Sequence, residues 1–201
     1  MKWLLVHHVD NDLGRHWRQY FQGQPDVQVI QGDICQMRVD AIVSPANSFG
    51  FMDGGLDEAL SWRFGWGLQD RLQTLIAARP LGELLVGEAL ILPTGDATTP
   101  WLISAPTMRV PMILRQSINP YLAMKAILLA ALAHDDEPSI GSVAIPGLGT
   151  GVGRMDPMTA AAQMWQAYRE VVLKDRSHPA NFGDAQRSHL DLNPAEIILW
   201  D

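Results

Sequence analysis

The stretch Val39-Asp40-Ala41-Ile42-Val43-Ser44-Pro45-Ala46-Asn47 continues through Ser48-Phe49-Gly50-Phe51-Met52-Asp53 into Gly54-Gly55-Leu56-Asp57-Glu58-Ala59-Leu60. Ala41–Ser44 reads as a short continuous apolar run, not an alternating one. That is the pattern of a central strand covered on both faces. The segment behind it is long for a simple strand-to-helix connection, which favours a functional loop. Its glycine pair lets the backbone approach a ligand closely. Asp57 falls where a helix begins, so it either caps that helix or faces a ligand.

Working outward, further short β-branched or aliphatic runs predict strands at Trp3–Val9, Val27–Gln31, Ala89–Leu92, Trp101–Ser104, Ser142–Ile145 and Glu196–Trp200. Helices are predicted between them. Asp12–Phe21 carries Leu13, Trp17, Tyr20 and Phe21 on one side. Asp57–Phe64 and Leu68–Ala78 are broken at Gly65-Trp66-Gly67. Asn119-Pro120 and Asp156-Pro157 each read as an N-cap followed by proline at the first helical position. Those two helices are expected to run to about His134 and Lys174. Strands alternating with helices predict an α/β fold with a mixed, mostly parallel sheet. The polar, turn-rich stretch 175–194 reads as a surface excursion within one domain spanning 1–201.

Composition narrows the function classes. The chain has 201 residues, 47% of them hydrophobic, enough for a substantial core. Its net charge of −7 disfavours a broad surface for duplex nucleic acid. A small anionic ligand remains compatible with that charge, because backbone N–H groups hold phosphate without net charge. The single cysteine, Cys35, excludes an intramolecular disulfide and a cysteine-based zinc cluster, and suits a reducing compartment, read as cytoplasmic. The apolar run at the N-terminus is too short for a signal peptide, and no run is long enough to span a membrane.

Three segments follow predicted strands, at the end of the sheet where open α/β folds bind ligands. The first is Gln31-Gly32-Asp33-Ile34, where Asp33 either accepts from an amine or ribose or caps the next turn. The second is the Asn47–Asp57 loop. The third is Ile145-Pro146-Gly147-Leu148-Gly149-Thr150-Gly151-Val152-Gly153-Arg154, with four glycines in seven residues. Successive N–H groups in such a loop form an anion nest. It lacks the Gly-Lys-Ser/Thr of a Walker loop and the strict spacing of dinucleotide folds.

Taken in order over roughly residues 27–174, these segments resemble a macro domain, the ADP-ribose-binding module. Gly32-Asp33-Ile34 matches the family's Gly-Asp-Ile. Val39 to Asn47 matches Val-Asp-Ala-Ile-Val-Asn-Ala-Ala-Asn. Gly54-Gly55-Leu56-Asp57 matches the Gly-Gly-Gly-Val-Asp segment. Gly149-Thr150-Gly151-Val152-Gly153 matches the later glycine loop, and Gly87-Glu88-Ala89 also fits. The resemblance implies a three-layer α/β/α sandwich, and the spacing of the histidines predicts no metal or cofactor. The resemblance also implies that Asp33 accepts from the adenine amine, with Ile34 giving a backbone contact. Asn47 touches the distal ribose. Gly54, Gly55 and Leu56 line the first phosphate loop. Gly147, Gly149, Thr150, Gly151, Val152 and Gly153 cradle the diphosphate. In hydrolases of the MacroD type, the aspartate matching Asp57 is linked to catalysis through a water, with Asn47 beside it. The implied ligands are ADP-ribose, mono-ADP-ribosyl protein, O-acetyl-ADP-ribose and ADP-ribose phosphate. A non-catalytic reader of the same ligands is the alternative.

The departures from the family pattern are specific. Ser44 replaces its first Asn, Asp53 stands where a third glycine is usual, and Ser61 stands where MacroD-type members have a histidine. Gly153 replaces an aromatic that packs on the distal ribose, leaving Phe49 or Phe51 to do so. Arg109 pairs with either a phosphate or a surface carboxylate. The histidines form no His-Glu-x-x-His pattern. Cys35 reads as a small apolar residue. Trp62 and Trp66, which follow the ligand loop, are the tryptophans best placed to stack on a base.

Overall fold

The computed structural model describes residues 1–8 and 12–193. Six strands, β1 Lys2–His7, β2 Val27–Gln31, β3 Ala41–Ser44, β4 Leu90–Pro93, β5 Trp101–Ser104 and β6 Ser142–Ile145, form one sheet in the order β2-β1-β6-β3-β5-β4. All neighbours are parallel except β4, which runs antiparallel to β5 at the edge. This is the expected mixed, mostly parallel sheet. The predicted strand Glu196–Trp200 lies outside the described residues.

Alternate residues along each strand feed two cores. Trp3, Leu5, Ala41, Val43, Ile103, Val143 and Ile145 face one side. There they meet α1 Asp12–Tyr20, α4 Asn119–Ala133 and α5 Pro157–Val171. Leu4, Val6, Ile42, Leu102 and Ala144 face the other, against α2 Gly55–Phe64 and α3 Gly67–Ala77. The period of two is the strand period, and with helices on both faces it makes the predicted three-layer sandwich. The β3–β6 register is pinned at its start: Asp40 Oδ2 accepts from Gly141 N at 3.0 Å and from Ser142 Oγ at 2.8 Å.

Three details differ from expectation. Asn119 does not cap α4. It is the first helical residue, and its Nδ2 donates to Thr107 O at 2.8 Å, tying α4 to the segment after β5. Asp156 does cap α5, accepting from Thr159 N at 3.0 Å, but α5 ends at Val171. The polar stretch 175–194 contains a helix, α6 Phe182–Leu190, capped by Asn181. It buries none of its residues, so no apolar stripe announced it.

Gly14, inside α1, has a packing reason. A Cβ there would sit 2.3 Å from His7 Nε2, so the bare backbone leaves room for the buried imidazole at the end of β1. Gly14→Ala is expected to lower stability by about 1–3 kcal/mol through overpacking, measured by denaturant melts at constant m-value.

Candidate functional site

The carboxyl ends of the five parallel strands converge on one cleft of about 590 Å³. That volume lies within the range of small-molecule sites. His7 and His8 border it from β1, and Gly32 to Cys35 from β2. Asn47 and residues 53–57 come from the loop after β3. Thr107 and Met108 follow β5, and Pro146, Gly147 and Gly149 to Gly153 follow β6. The structure brings to this one cleft the residues given binding or catalytic roles above: Asp33, Ile34, Asn47, Gly54, Gly55, Leu56, Asp57, Gly147, Gly149, Thr150, Gly151, Val152 and Gly153, while Phe49, Ser61, Trp62, Trp66 and Arg109 do not line it. No Lys or Arg is among its described lining residues.

The loop after β6 is built around its own carbonyls. Met155 N donates to Gly149 O at 2.9 Å, Arg154 N to Gly151 O at 3.0 Å and Leu114 N to Gly153 O at 2.7 Å. The N–H groups from Leu148 to Gly153 donate to no described residue. Such a run of N–H groups is an anion nest. The glycines divide by cause. A Cβ on Gly153 would meet Gly149 O at 2.5 Å, and one on Gly147 would meet Leu13 and Thr150. Gly149 has φ +72°, where side chains are strained. Gly151 has open space where its Cβ would be. Nothing among the described residues requires glycine at Gly151.

Opposite lies the start of α2, with Gly54, Gly55 and Leu56 in the cleft wall. The first N–H groups of a helix have no intrahelical partner and favour anions. Asp57 sits in this first turn with only 8% of its surface exposed. Ser44 Oγ donates to Asp57 Oδ1 at 2.6 Å. Burial pushes the Asp57 carboxyl up to about 6, against the lowering effect of the Ser44 hydroxyl. Desolvation dominates because a buried carboxylate loses water's stabilisation of its charge. Ser44, a departure from the family pattern, thus orients the one buried carboxylate lining the cleft among the described residues.

The remaining candidates separate clearly. Asp33 Oδ1 accepts from Cys35 N at 2.9 Å, capping the single 3-10 turn Ile34–Gln36, and Asp33 remains exposed to the cleft. Asn47 organises its own loop: Oδ1 accepts from Phe49 N and Phe51 N, and Nδ2 donates to Phe51 O at 2.7 Å. Phe51, 54% exposed, lines the cleft. Phe49 instead lies under the Arg109 guanidinium, 5.0 Å from ring centre to Cζ. Arg109 chelates Glu83 through Nε at 2.9 Å and Nη2 at 2.6 Å, so its partner is a surface carboxylate. Ser61 is buried and donates to Met52 O at 2.9 Å, away from the cleft. Burial and the neighbouring Asp33 carboxylate push the Cys35 thiol upward, which disfavours the thiolate.

Sequence reading missed His7 in the wall. The signal for His7 was Gly14, a glycine in a helix interior with no local reason to be there.

Fold and cleft define an α/β protein whose site is rich in glycine. Comparisons with known proteins place it more closely. A family model described as Macro domain matches residues 43–164. The chain belongs to the macro domain family. An uncharacterized protein of Aquifex aeolicus is 34% identical over 149 residues, 74% of this chain and 84% of that protein. An O-acetyl-ADP-ribose deacetylase of Salmonella typhimurium is 33% identical over 128 residues, 63% of this chain and 68% of that one. Among solved structures, a mutant Oceanobacillus iheyensis macrodomain with ADPR shares the fold with a TM-score of 0.57 and 23% identity, covering 68% of this chain and 72% of that one.

Proposed function

We propose that this chain binds ADP-ribose derivatives in the cleft and hydrolyses an ester or glycosidic bond at their distal ribose. The observation that carries the reading is the loop after β6, where Gly149 to Gly153 line the cleft and their N–H groups have no described acceptor. With the first turn of α2 opposite, they hold a diphosphate by backbone alone, which suits a cleft with no Lys or Arg among its described lining residues. Asp33 accepts from the adenine amine through the oxygen not used by Cys35 N. The name of the Salmonella relative supports an O-acetyl ester as substrate class.

The chemistry falls to Asp57. A carboxyl pushed to about 6 is ionised at neutral pH yet more basic than a solvated one. Asp57 takes a proton from a water as that water attacks the acetyl carbonyl carbon. The ester C–O bond then breaks, and the proton passes to the ribose oxygen. Acetate and ADP-ribose are the products. Ser44 fixes the carboxylate through Oδ1, leaving Oδ2 without a bond to a described residue.

Release of acetate from O-acetyl-ADP-ribose, followed by proton NMR, tests this. Because Asp57 must be ionised to act as the base, kcat/KM is expected to rise tenfold per pH unit below about 6 and level off above it. A flat profile from pH 5 to 8 would remove Asp57 from the reaction. One observation favours a second reading, a reader that binds without turnover. Ser61, where MacroD-type members have a histidine, is turned to Met52 O and brings no proton-transfer group to Asp57. ADP-ribose binding with no acetate release would establish that reading.

Asp33→Asn keeps an oxygen for the Cys35 N cap and places an NH₂ toward the adenine amine. Affinity for ADP-ribose and AMP is expected to fall about tenfold or more, the worth of a charge-assisted bond, with ribose 5-phosphate unaffected. Equal weakening of all three ligands would refute the adenine assignment.

A further inference from the structure

The chain leaving β5 forms an arch between the loops after β3 and β6. Thr107 N donates to Ala46 O and Ser48 N to Arg109 O, both at 3.1 Å, and Met108 makes a single parallel bridge to Asn47. Further on, Leu114 N donates to Gly153 O at 2.7 Å, in the glycine loop. Between these ties run Val110, Pro111, Met112 and Ile113, four apolar residues in a row, all exposed. Pro111 and Met108 line the cleft, as does the exposed ring of Phe51. Arg109, at the start of the arch, is chelated by Glu83.

Sheet order fixes which end of the cleft this is. Counting from β2, which brings Asp33, the strands run β1, β6, β3 and β5. The arch follows β5, so it lies beyond Asn47 and Asp57, at the end away from Asp33. The charged lining residues contributed from β3 onward are Asp53 and Asp57, with no Lys or Arg among the described lining residues. A terminal phosphate meets two carboxylates there and no cation. A hydrocarbon meets Met108, Pro111 and Phe51. Contiguous exposed apolar residues at the edge of a cleft mark a binding surface, where single scattered ones do not.

We infer that the arch receives the acyl chain of an ester on the distal ribose, and that the preferred substrate carries an acyl group longer than acetyl. The inference rests on the hydrolase reading above and names its substrate class. The step is the same hydrolysis. The water oxygen bonds to the acyl carbon, the ester C–O bond breaks, and the ribose oxygen takes the proton held by Asp57. The other water proton leaves with the carboxylic acid, which ionises in solution.

The test is kcat/KM of the whole chain on the acetyl, propionyl and butyryl esters of ADP-ribose, read by chromatography of released ADP-ribose. The butyryl ester is expected to react about tenfold faster than the acetyl ester, since each added CH₂ leaves water on binding. Pro111→Asn should abolish that gain while leaving the acetyl rate within about twofold; Pro111→Leu, still apolar, should keep it. Equal rates along the series, or a gain untouched by Pro111→Asn, overturn the inference and spare the hydrolase reading. If no ester is cleaved, the hydrolase reading fails, and calorimetric affinities for the same three esters decide the apolar subsite: tightest binding of butyryl upholds it, equal binding overturns it. If neither ADP-ribose nor its esters bind, the cleft reading fails and this inference with it.

Discussion

Replacing Asp57 by Asn is expected to reduce acetate release by about 10²–10⁴-fold, the usual worth of a positioned general base. ADP-ribose affinity should stay within about threefold, because the phosphates and adenine are held elsewhere. The same variant should be more stable than the parent at pH 8. The Asp57 carboxyl is pushed from 3.8 to about 6 by burial, so the folded state holds its proton more tightly than the unfolded state. A raised carboxyl favours the fold fully below about pH 4, and this advantage is lost as pH rises through 6. Above that, the buried anion costs about 3 kcal/mol relative to its neutral form. Asn is neutral at every pH and keeps an oxygen for the Ser44 hydroxyl. A rise in Tm of roughly 5–10 °C at pH 8, fading toward zero near pH 4, is the expected signature. Stability gained where activity is lost is the mark of a group kept for chemistry. Equal Tm at both pH values would show that Asp57 is not held as a strained anion.

The second large effect is at Gly151. Gly151→Glu is expected to weaken ADP-ribose by about 100-fold or more, since it sets a carboxylate against the diphosphate in the nest. Its Tm should match the parent's, because the Cβ at Gly151 meets open space. Gly153→Ala is the contrasting case. Its Cβ would lie 2.5 Å from the Gly149 carbonyl, so the loop must shift and stability fall. Binding lost at Gly151 with the fold intact isolates the ligand as the reason for that glycine. Undiminished affinity in Gly151→Glu would place the diphosphate elsewhere.

The sheet was legible because Ala41–Ser44 and Ser142–Ile145 are continuous apolar runs, and central parallel strands in a three-layer fold have no solvent face. The cleft was legible for a related reason. Seven glycines are among its lining residues, and glycine is the residue that records where backbone must come close or turn sharply. Side-chain roles were less visible. Ser44 read as a mere departure, yet a hydroxyl ending an apolar strand must find a buried partner, and it found Asp57. Asn47 read as a ribose contact, but its amide also closes the 47–51 loop, which sequence order alone does not reveal. Arg109 was left open between phosphate and carboxylate until the fold placed Glu83 beside it. The helix at Phe182–Leu190 escaped because a surface helix without an apolar stripe has no periodic signal.

The central claim is that the cleft holds ADP-ribose by backbone at the diphosphate and by Asp33 at the adenine. Calorimetric titration with ADP-ribose, with AMP and ribose 5-phosphate as controls, tests it most directly. The account predicts a Kd near 1 μM for ADP-ribose, about −8 kcal/mol, with each fragment at least about tenfold weaker. No heat and no competition up to millimolar ADP-ribose would contradict it.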